Sequence, residues 1–213
     1  MLEIRFDGVS QEFEGREVLH QVTCSFHAGR VTAIAGANGS GKSTLLRIAA
    51  RLMLPSSGTV DTIRDGAPVG GAEYRSMLSM ATPEMELYTR LTVRENLSFL
   101  LSARGAACGE EELKALTARV GLPPEVLSRT AGQLSTGMRQ RVRLAVLLGV
   151  DAEIWLLDEP GLALDERGRA LLMNEVRRAA ECGRLVLWAT NDREEREAAD
   201  ACIDLSCDVS GCL

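Results

Sequence analysis

The first thirty residues alternate apolar and polar positions, which is the pattern of strands with one buried face. Leu2–Phe6 and Val18–Phe26 both show the alternation, and Glu14-Gly15-Arg16 lies between them. Two such stretches separated by a short glycine-containing segment are typical of a hairpin. The pattern therefore predicts an antiparallel pair of strands joined by a turn at Gly15.

A second pattern begins at Val31–Ala35, which is short and almost wholly apolar. Strands that are covered on both faces in a parallel sheet have this composition. A glycine-rich stretch follows directly, and Ser43–Ala50 then shows the spacing of an amphipathic helix. This order predicts a strand, a loop and a helix in succession.

From about Glu84 to Gln133 the apolar positions change to a helical spacing, which predicts a mostly helical insertion. The spacing is carried by apolar residues three and four positions apart, namely Leu97, Leu100, Leu101, Leu113, Leu116 and Val120. Pro123-Pro124 ends this pattern, because proline interrupts helices.

Helices and strands alternate after the insertion. We predict helices over Met138–Gly149 and Arg167–Cys182, and strands over Ile154–Leu157 and Leu185–Ala189. Alternation of this kind predicts an α/β core with a mostly parallel sheet.

Length and charge narrow the class of protein. A chain of 213 residues suffices for one large domain, or for a core with one inserted subdomain. The net charge of −6 argues against a nucleic-acid partner, since phosphate-backbone affinity comes from concentrated Lys and Arg. The longest apolar run, Leu144–Val150, is far shorter than the ~20 residues of a membrane span, and the N-terminus lacks the features of a secretion signal. We therefore expect a soluble, cytoplasmic protein.

Six cysteines are scattered along the chain without a Cys-x-x-Cys pair, which favours free thiols in a cytosolic protein. The spacing of Cys202, Cys207 and Cys212 is not that of a zinc site, and no histidine lies near them. We expect these three to be ordinary tail and strand residues.

The glycine-rich stretch matches the phosphate-binding loop G-x-x-x-x-G-K-[ST] in full, between a predicted strand and a predicted helix. Its residues, with the threonine that follows, are Gly36, Ala37, Asn38, Gly39, Ser40, Gly41, Lys42, Ser43 and Thr44. Glycines let successive backbone N–H groups turn toward phosphate oxygens, and the helix N-terminus adds positive partial charge. We expect the loop to bind the phosphates of a nucleotide, with Lys42 at the β- and γ-phosphates and Ser43 as a ligand of Mg²⁺. The alternative is a glycine-rich turn with no ligand.

Two acids, Asp158 and Glu159, follow the apolar run Ile154–Leu157. A buried parallel strand delivers such acids to the edge of the sheet where ligands bind. We expect Asp158 to hold Mg²⁺ through water, and Glu159 to act as a general base toward the attacking water. By itself, a strand followed by Asp-Glu-Pro is also a common surface turn.

Leu134–Arg141 precedes an apolar helix, and Ser135 is well placed as its N-cap. Ser135 and Gly137 at a helix start predict a second anion site. The alternative is a capped helix with no ligand.

Taken together, Gly36–Thr44, Leu134–Arg141 and Ile154–Asp165 resemble the Walker A, signature and Walker B/D-loop elements of the ATP-binding cassette family, in the family's order and spacing. The resemblance implies a P-loop NTPase with a RecA-like core, an N-terminal antiparallel β subdomain and an inserted α-helical subdomain. We expect a single ATP-binding domain, with the core and β subdomain in residues 1–83 and 134–213 and the helical subdomain in residues 84–133.

The resemblance also implies a head-to-tail dimer of cassettes. In that dimer Ser135 and Gly137 of one cassette would cap the γ-phosphate held by Lys42 of the other. Phe13 stands where the family stacks an aromatic ring on adenine, although a core position in the hairpin is the alternative. Leu91–Leu97 resembles the segment that faces membrane partners, and Leu162–Asp165 resembles the D-loop at the dimer interface.

Two positions depart from the family pattern. Pro83 replaces the usual Q-loop glutamine and offers no side-chain hydrogen bond, so Thr82 or Glu84 would have to supply contacts there. Asn191 replaces the switch histidine and cannot carry a positive charge. We therefore expect ATP binding to survive and turnover to be slow, with Lys42, Glu159 and Asn191 as the catalytic residues.

The leading hypothesis is the ATP-hydrolysing subunit of a transporter, attached to the cytoplasmic face of the inner or plasma membrane by a separate integral membrane subunit. The short chain resembles minimal cassettes such as those of haem exporters used in cytochrome c maturation. The alternatives are a soluble cassette with no transport role, or a slow regulatory nucleotide-binding module.

Overall fold

The computed structural model describes residues 1–205 and, for the backbone alone, residues 210–212. The described chain groups into two compact units. The first comprises Met1–Met80, Glu153–Glu159 and Val176–Leu213, and the second comprises Ala81–Ala152 and Pro160–Glu175. The boundaries of core and helical subdomain given above remain a prediction.

The described strands, in chain order, are β1 (Leu2–Phe13), β2 (Arg16–His27), β3 (Arg30–Ala35), β4 (Ser57–Arg64), β5 (Ala67–Pro68), β6 (Leu78–Ala81), β7 (Ile154–Asp158), β8 (Leu185–Ala189), β9 (Ala201–Asp204) and β10 (Ser210–Cys212). The described helices are α1 (Lys42–Ala49), α2 (Gly71–Met77), α3 (Val93–Ser102), α4 (Glu110–Arg119), α5 (Thr136–Gly149), α6 (Glu166–Glu181) and α7 (Arg193–Glu197). Short 3-10 turns cover Pro124–Ser128 and Ala131–Gln133.

A mostly antiparallel sheet occupies part of the first unit, with strand order β10-β2-β1-β4-β5, in which β10 pairs with β2 in parallel. Strands β1 and β2 pair antiparallel across a two-residue turn, in which Glu14 and Gly15 both have positive φ. This backbone geometry matches the twist of the strands that it joins. Phe6 and Phe26 are fully buried and meet edge to face, with ring centroids 5.7 Å apart. The predicted hairpin is confirmed.

The second sheet of this unit has the order β6-β7-β8-β3-β9. The pairs β3–β8, β3–β9 and β7–β8 are all parallel. Strands β7 and β8 are buried along their whole length, and β3 is buried after its first residue. Apolar strands of this kind need cover on both faces. The predicted α/β fold with a mostly parallel sheet is confirmed.

Helices α3, α4 and α5 form the core of the second unit, where α5 packs against both of the others. Leu97 and Leu101 of α3 are fully buried. Gly149 lets α3 and α4 approach α5, since a Cβ there would lie 2.6 Å from Leu101 Cδ2 and 3.0 Å from Leu116 Cδ1. The predicted helical character of this region is confirmed.

Strand β4 and helix α2 were not expected from the sequence pattern. Most of β4 is exposed or half-buried, so its residues carry little apolar alternation. Within the described chain, none of the helices combines the length and apolar character that crossing a bilayer requires.

Candidate nucleotide-binding site

The predicted phosphate-binding loop joins β3 to α1 in the first unit. Gly36, Gly39 and Gly41 all have positive φ, a conformation that residues with a side chain rarely adopt. Close packing adds a second constraint at Gly41, where a Cβ would lie 2.6 Å from Leu19 Cδ2 and 3.0 Å from the Val18 carbonyl oxygen. The loop therefore takes a shape that its glycines make possible.

Lys42 begins helix α1 and is buried, with 5% of its surface exposed. Its Nζ donates hydrogen bonds to the Gly36 carbonyl at 2.8 Å and to the Ala37 carbonyl at 3.1 Å. The loop thus curls around an ammonium group whose burial is costly without an anionic partner. The first N–H groups of α1 lie at the same place, where helix geometry leaves them without intrahelical acceptors.

Ser40 Oγ is buried and has no hydrogen-bond partner among the residues that the structure describes. A buried hydroxyl in this state needs a ligand atom or water to satisfy it. Together with the Lys42 ammonium and the backbone N–H groups, it makes a site that suits a phosphate. Ser43 is half-buried and Thr44 is buried in the first turn of α1, so their hydroxyls belong to the same end of the helix.

Asp158 and Glu159 lie where β7 ends, at the carboxyl edge of the parallel sheet. Asp158 is 6% exposed. Glu159 has φ of 47°, a left-handed conformation that costs a residue with a side chain about 1–2 kcal/mol. Its N–H donates to the Ala189 carbonyl at 2.9 Å, which ties this turn to the end of β8. Strain of this kind is typical of functional sites, and it argues against an ordinary surface turn.

Asn191 joins the phosphate-binding loop and Glu159 into one cluster. Its Nδ2 donates to Glu159 Oε1 at 3.2 Å and to Asn38 Oδ1 in the phosphate-binding loop. The preceding Thr190 is anchored to β3, since its N–H donates to the Ile34 carbonyl at 3.1 Å. The structure thus brings together three predicted residues that come from three separate parts of the chain.

Phe13 lies at the end of β1, where it pairs with Arg16 across the hairpin turn. The residue is 41% exposed, so the alternative of a core position is wrong. Stacking on adenine stays a prediction.

In the second unit, Ser135 is the N-cap of α5, and its hydroxyl accepts a hydrogen bond from the Met138 N–H at 3.2 Å. Gly137 lies in the first helical turn, where a Cβ would be 2.7 Å from the Ala163 carbonyl oxygen. The predicted cap is confirmed. An anion site at this helix start stays a prediction, as does the interface role of Leu162–Asp165.

Pro83 is exposed in the segment after β6. A turn follows in which the Met85 N–H donates to the Thr82 carbonyl at 3.1 Å. The Arg143 guanidinium in α5 also holds this segment, by donating to the Met85 carbonyl at 2.6 Å. The sequence pattern had not indicated Arg143.

Cys202 is an exposed free thiol in β9. Partial desolvation raises its pKa above the ordinary value, which lowers its reactivity at neutral pH. Cys207 and the side chain of Cys212 lie outside the described residues, so the expectation for the three C-terminal cysteines stays a prediction.

The profile of the family described as "ABC transporter" matches residues 19–161. A relative in Escherichia coli (strain K12), "Probable multidrug ABC transporter ATP-binding protein YbhF", is 33% identical over 198 residues, which cover 91% of this chain and 34% of that protein. The "Sulfate/thiosulfate import ATP-binding protein CysA" of Thermosynechococcus vestitus is 34% identical, over 92% of this chain and 59% of its own length. The chain thus spans about a third of YbhF and well under two thirds of this CysA.

Among solved structures, the dimeric bacterial ABC transporter cassette MJ0796 superposes with a TM-score of 0.82 at 26% identity. The match covers 94% of this chain and 93% of that one. A structure of the same cassette in a post-hydrolysis state, bound to ADP and Pi, gives a TM-score of 0.81. The motifs, the fold and the family profile agree: the chain belongs to the ABC transporter family and has the fold of its ATP-binding cassettes.

Proposed function

We propose that this chain binds and hydrolyses Mg-ATP in a head-to-tail dimer of cassettes and thereby drives a separate transmembrane subunit. The observation that carries the proposal is the hydrogen-bonded cluster of Asn38, Glu159 and Asn191 beside the buried Lys42 ammonium. It joins a phosphate-binding loop to a carboxylate that can accept a proton. Both are required to cleave a phosphoanhydride with water.

The residues that would hold the nucleotide belong to the loop and the start of α1. The backbone N–H groups of the loop and the Lys42 ammonium would bind phosphate oxygens, and the Ser40 hydroxyl would gain the partner that it lacks. Ser43 and Asp158 supply the oxygen ligands that Mg²⁺ prefers. When bound, the metal would neutralise charge on the phosphates.

Glu159 would take a proton from the attacking water, and Asn191 would orient the Glu159 carboxylate. The hydrogen bond from Asn191 Nδ2 restrains the Glu159 carboxylate, which suits a base that must point at one place. Asn191 adds no positive charge to balance the charge that develops on phosphate. We therefore propose a slow turnover for this cassette.

The proposed dimer explains the exposure of two features of the second unit. Ser135 and Leu162 are both exposed, and they lie in the segments that resemble the signature and the D-loop. MJ0796 is described as dimeric and has the same fold. In the proposed assembly Ser135 and Gly137 would cap phosphate held by the second cassette.

The proposed membrane partner would bind near α3. Tyr88 and Phe99 are each about half exposed, and their rings meet edge to face with centroids 5.3 Å apart. An exposed aromatic pair is unusual on a surface that binds nothing, and it flanks the segment Leu91–Leu97. With such a partner the chain would sit at the cytoplasmic face of the membrane.

The test is ATP-driven dimerisation of a Glu159→Gln variant. Sedimentation velocity with and without Mg-ATP measures the dimer. We expect dimers with Mg-ATP and none without it, because the variant binds ATP but cannot hydrolyse it. A matched Lys42→Ala variant should stay monomeric. If Mg-ATP leaves Glu159→Gln monomeric, the proposed mechanism is wrong.

Purification from detergent-solubilised native membranes tests the transport role. An integral membrane protein that co-purifies with the chain supports it, whereas ribosomes or DNA would assign the chain to a cassette without a transport role. A steady-state rate too low to measure, with tight ATP binding, would indicate the regulatory module.

A further inference from the structure

A guanidinium group is nearly buried in the second unit at Arg141, in the second turn of α5. Only 11% of its side chain is exposed. Its Nη1 donates to the Val120 carbonyl at 3.1 Å and the Gly121 carbonyl at 3.2 Å, while Nη2 binds Asp165 Oδ1. One side chain thus links α5 to the end of α4 and to the end of the loop Pro160–Asp165. A buried charge is retained only where partners such as these compensate for its desolvation.

The partner of this guanidinium has a second structural role. Asp165 Oδ1 also accepts the Gly168 N–H at 2.8 Å, and the Asp165 carbonyl accepts the Arg169 N–H at 2.9 Å. Asp165 therefore caps the start of α6. The hydrogen bond from Gly168 and the charge of Arg141 hold the pKa of Asp165 below its usual range, so the carboxylate is ionised at neutral pH.

Space around this ion pair is provided by two glycines. A Cβ at Gly121 would lie 2.5 Å from Arg141 Nη1. At Gly168 it would lie 3.0 Å from Arg141 Nη2 and 2.9 Å from Asp165 Oδ1. Neither position has room for a side chain without displacing the pair.

Helix α5 contacts the same loop at two further points. Gln140 is buried, and its Nε2 donates to the Pro160 carbonyl at 3.0 Å. Gly137 lies against the Ala163 carbonyl. The first two turns of α5 therefore contact the beginning, middle and end of the loop.

The middle of the loop is strained and exposed, whereas Pro160, Gly161 and Leu164 are buried. Ala163 has φ of 63°, which is unfavourable for a residue with a side chain, and Leu162 is 58% exposed. A short segment of this kind would sample many conformations if nothing held it.

We infer that Arg141, assisted by Gln140, is a positioning residue that holds the loop Pro160–Asp165 against helix α5, so that Leu162 and Ser135 meet the second cassette as one preformed surface. The inference rests on the proposed function, because the dimer is what uses the surface. Its physical basis is pre-organisation, since a loop already held in place loses little entropy on binding.

Two results are expected if Arg141 is replaced by methionine. In the protein without nucleotide, the amides of the loop should exchange hydrogen faster, because Asp165 has lost its ion pair with Arg141. ATP-driven dimerisation should weaken about tenfold or more, which is within the usual range for coupled contacts. Binding of a fluorescent ATP analogue to the monomer should change by less than about twofold, since the phosphate-binding loop belongs to the other unit.

A double-mutant cycle in the Glu159→Gln background separates positioning from loss of stability. Arg141→Met, Asp165→Asn and the double variant are compared by dimer dissociation constant, and the double should be no weaker than Arg141→Met alone. Arg119 and Glu175 provide the matched control, because their ion pair joins α4 to α6 in the same unit and does not include a loop residue. The cycle built on Arg119→Met and Glu175→Gln should leave the dimer dissociation constant unchanged, even if these variants lower the melting temperature as much as the Arg141 and Asp165 variants do.

Each outcome decides the matter. If Glu159→Gln forms dimers and Arg141→Met fails either to weaken them or to speed loop exchange, the inference is wrong and the proposed function stands. An equal effect from the control cycle reduces Arg141 to a general stabilising role and also overturns the inference. Should Arg141→Met fail to fold, Gln140→Met tests the same loop, because it removes the bond to Pro160 together with the bond that Gln140 Oε1 accepts from Arg143 Nη1. If the parent never dimerises, both proposals fall together.

Discussion

At the residue scale, an amide occupies one of the two positions at which this cassette departs from the family pattern. Asn191 donates hydrogen bonds to Glu159 and to Asn38, at the position where the family resemblance expected a histidine. An amide keeps one protonation state across the physiological pH range, whereas the ordinary pKa of histidine is about 6.5. No titration of Asn191 therefore alters the hydrogen bond that it donates to Glu159.

Replacing Asn191 by histidine should make turnover depend on pH. We expect kcat of Asn191→His to change between pH 6 and 8, with an inflection within about one unit of 6.5, as the new imidazole titrates. The unmodified chain should show no such inflection. Asn191→Ala, which removes the hydrogen bond, should lower kcat by about tenfold at every pH. Steady-state ATP hydrolysis measured across this range checks both results. Superimposable pH profiles for the unmodified chain and Asn191→His would contradict the first result, and an unchanged kcat of Asn191→Ala would contradict the second.

The start of helix α5 has a structural role and, in the proposed dimer, a functional one as well. The Ser135 hydroxyl caps the helix, and the proposed dimer would place the same side chain at a phosphate. Aspartate caps helices about as well as serine but carries a negative charge. The two roles can therefore be separated by substitution.

Ser135→Asp should keep the fold and lose the dimer. We expect its free energy of unfolding to stay within about 0.5 kcal/mol of the parent, while ATP-driven dimers of the Glu159→Gln background disappear. Ser135→Ala should instead lose about 1 kcal/mol of stability. Urea denaturation and sedimentation velocity measure the two effects separately. Normal dimers of Ser135→Asp would show that this hydroxyl is a cap alone.

Helix α3 begins with a capping box of Thr92 and Glu95. The stability that this capping box contributes should depend on pH. Hydrogen bonds from the Thr92 backbone and hydroxyl lower the pKa of Glu95 from its ordinary 4.5. The stabilisation by the Glu95 carboxylate is therefore complete above pH 4.5. It is lost as the pH falls through the lowered pKa that Glu95 has in the folded protein. We expect Thr92→Ala to cost about 1 kcal/mol at neutral pH. Glu95→Gln should lose less stability on acidification than the parent, as urea denaturation from pH 6 to pH 3 would measure.

On the scale of the whole molecule, stability at high pH should depend on one buried phenol. Tyr74 is fully buried and donates its hydroxyl to the Ala49 carbonyl at the end of α1, with the Arg51 guanidinium 4.2 Å from the ring centroid. Burial raises the pKa of Tyr74 to about 12. The phenol thus stays neutral in the folded protein after it has ionised in the unfolded chain.

The stabilising contribution of Tyr74 is complete below its ordinary pKa of 10.0 and is lost as the pH rises to about 12. We expect Tyr74→Phe to be less stable by about 1–2 kcal/mol at pH 7, since the Ala49 carbonyl loses its donor. The difference between the two proteins should shrink from pH 10 to pH 12. Chemical denaturation at several pH values measures it, and a constant difference would contradict the assignment.

Some elements could be predicted because their signals are local. Val31–Ala35 and Leu185–Ala189 are apolar runs of strand length, and the structure buries all of their residues. The loop from Gly36 to Ser43 could be predicted because its residues are consecutive. Strand β4 could not, since a mostly exposed strand is held by pairing with β1 rather than by a pattern of its own.

Contacts between distant residues could not be predicted in the same way. The pair of Asn38 and Asn191 is separated by 153 positions, and that of Arg141 and Asp165 by 24. None of these four residues has a local sequence pattern that identifies its partner, because a hydrogen bond depends on where packing places two separate elements.

The sequence by itself determined the α/β class, the hairpin, the phosphate-binding loop and the acids that follow β7. Hydrophobic period and glycine stereochemistry act between neighbouring residues, so a linear chain already contains them. Only the tertiary structure decided that Glu159 takes a strained turn beside Asn191, that Phe13 is exposed and that Arg141 pairs with Asp165. Those features depend on the packing of whole elements, which sets distances that no short stretch of sequence encodes.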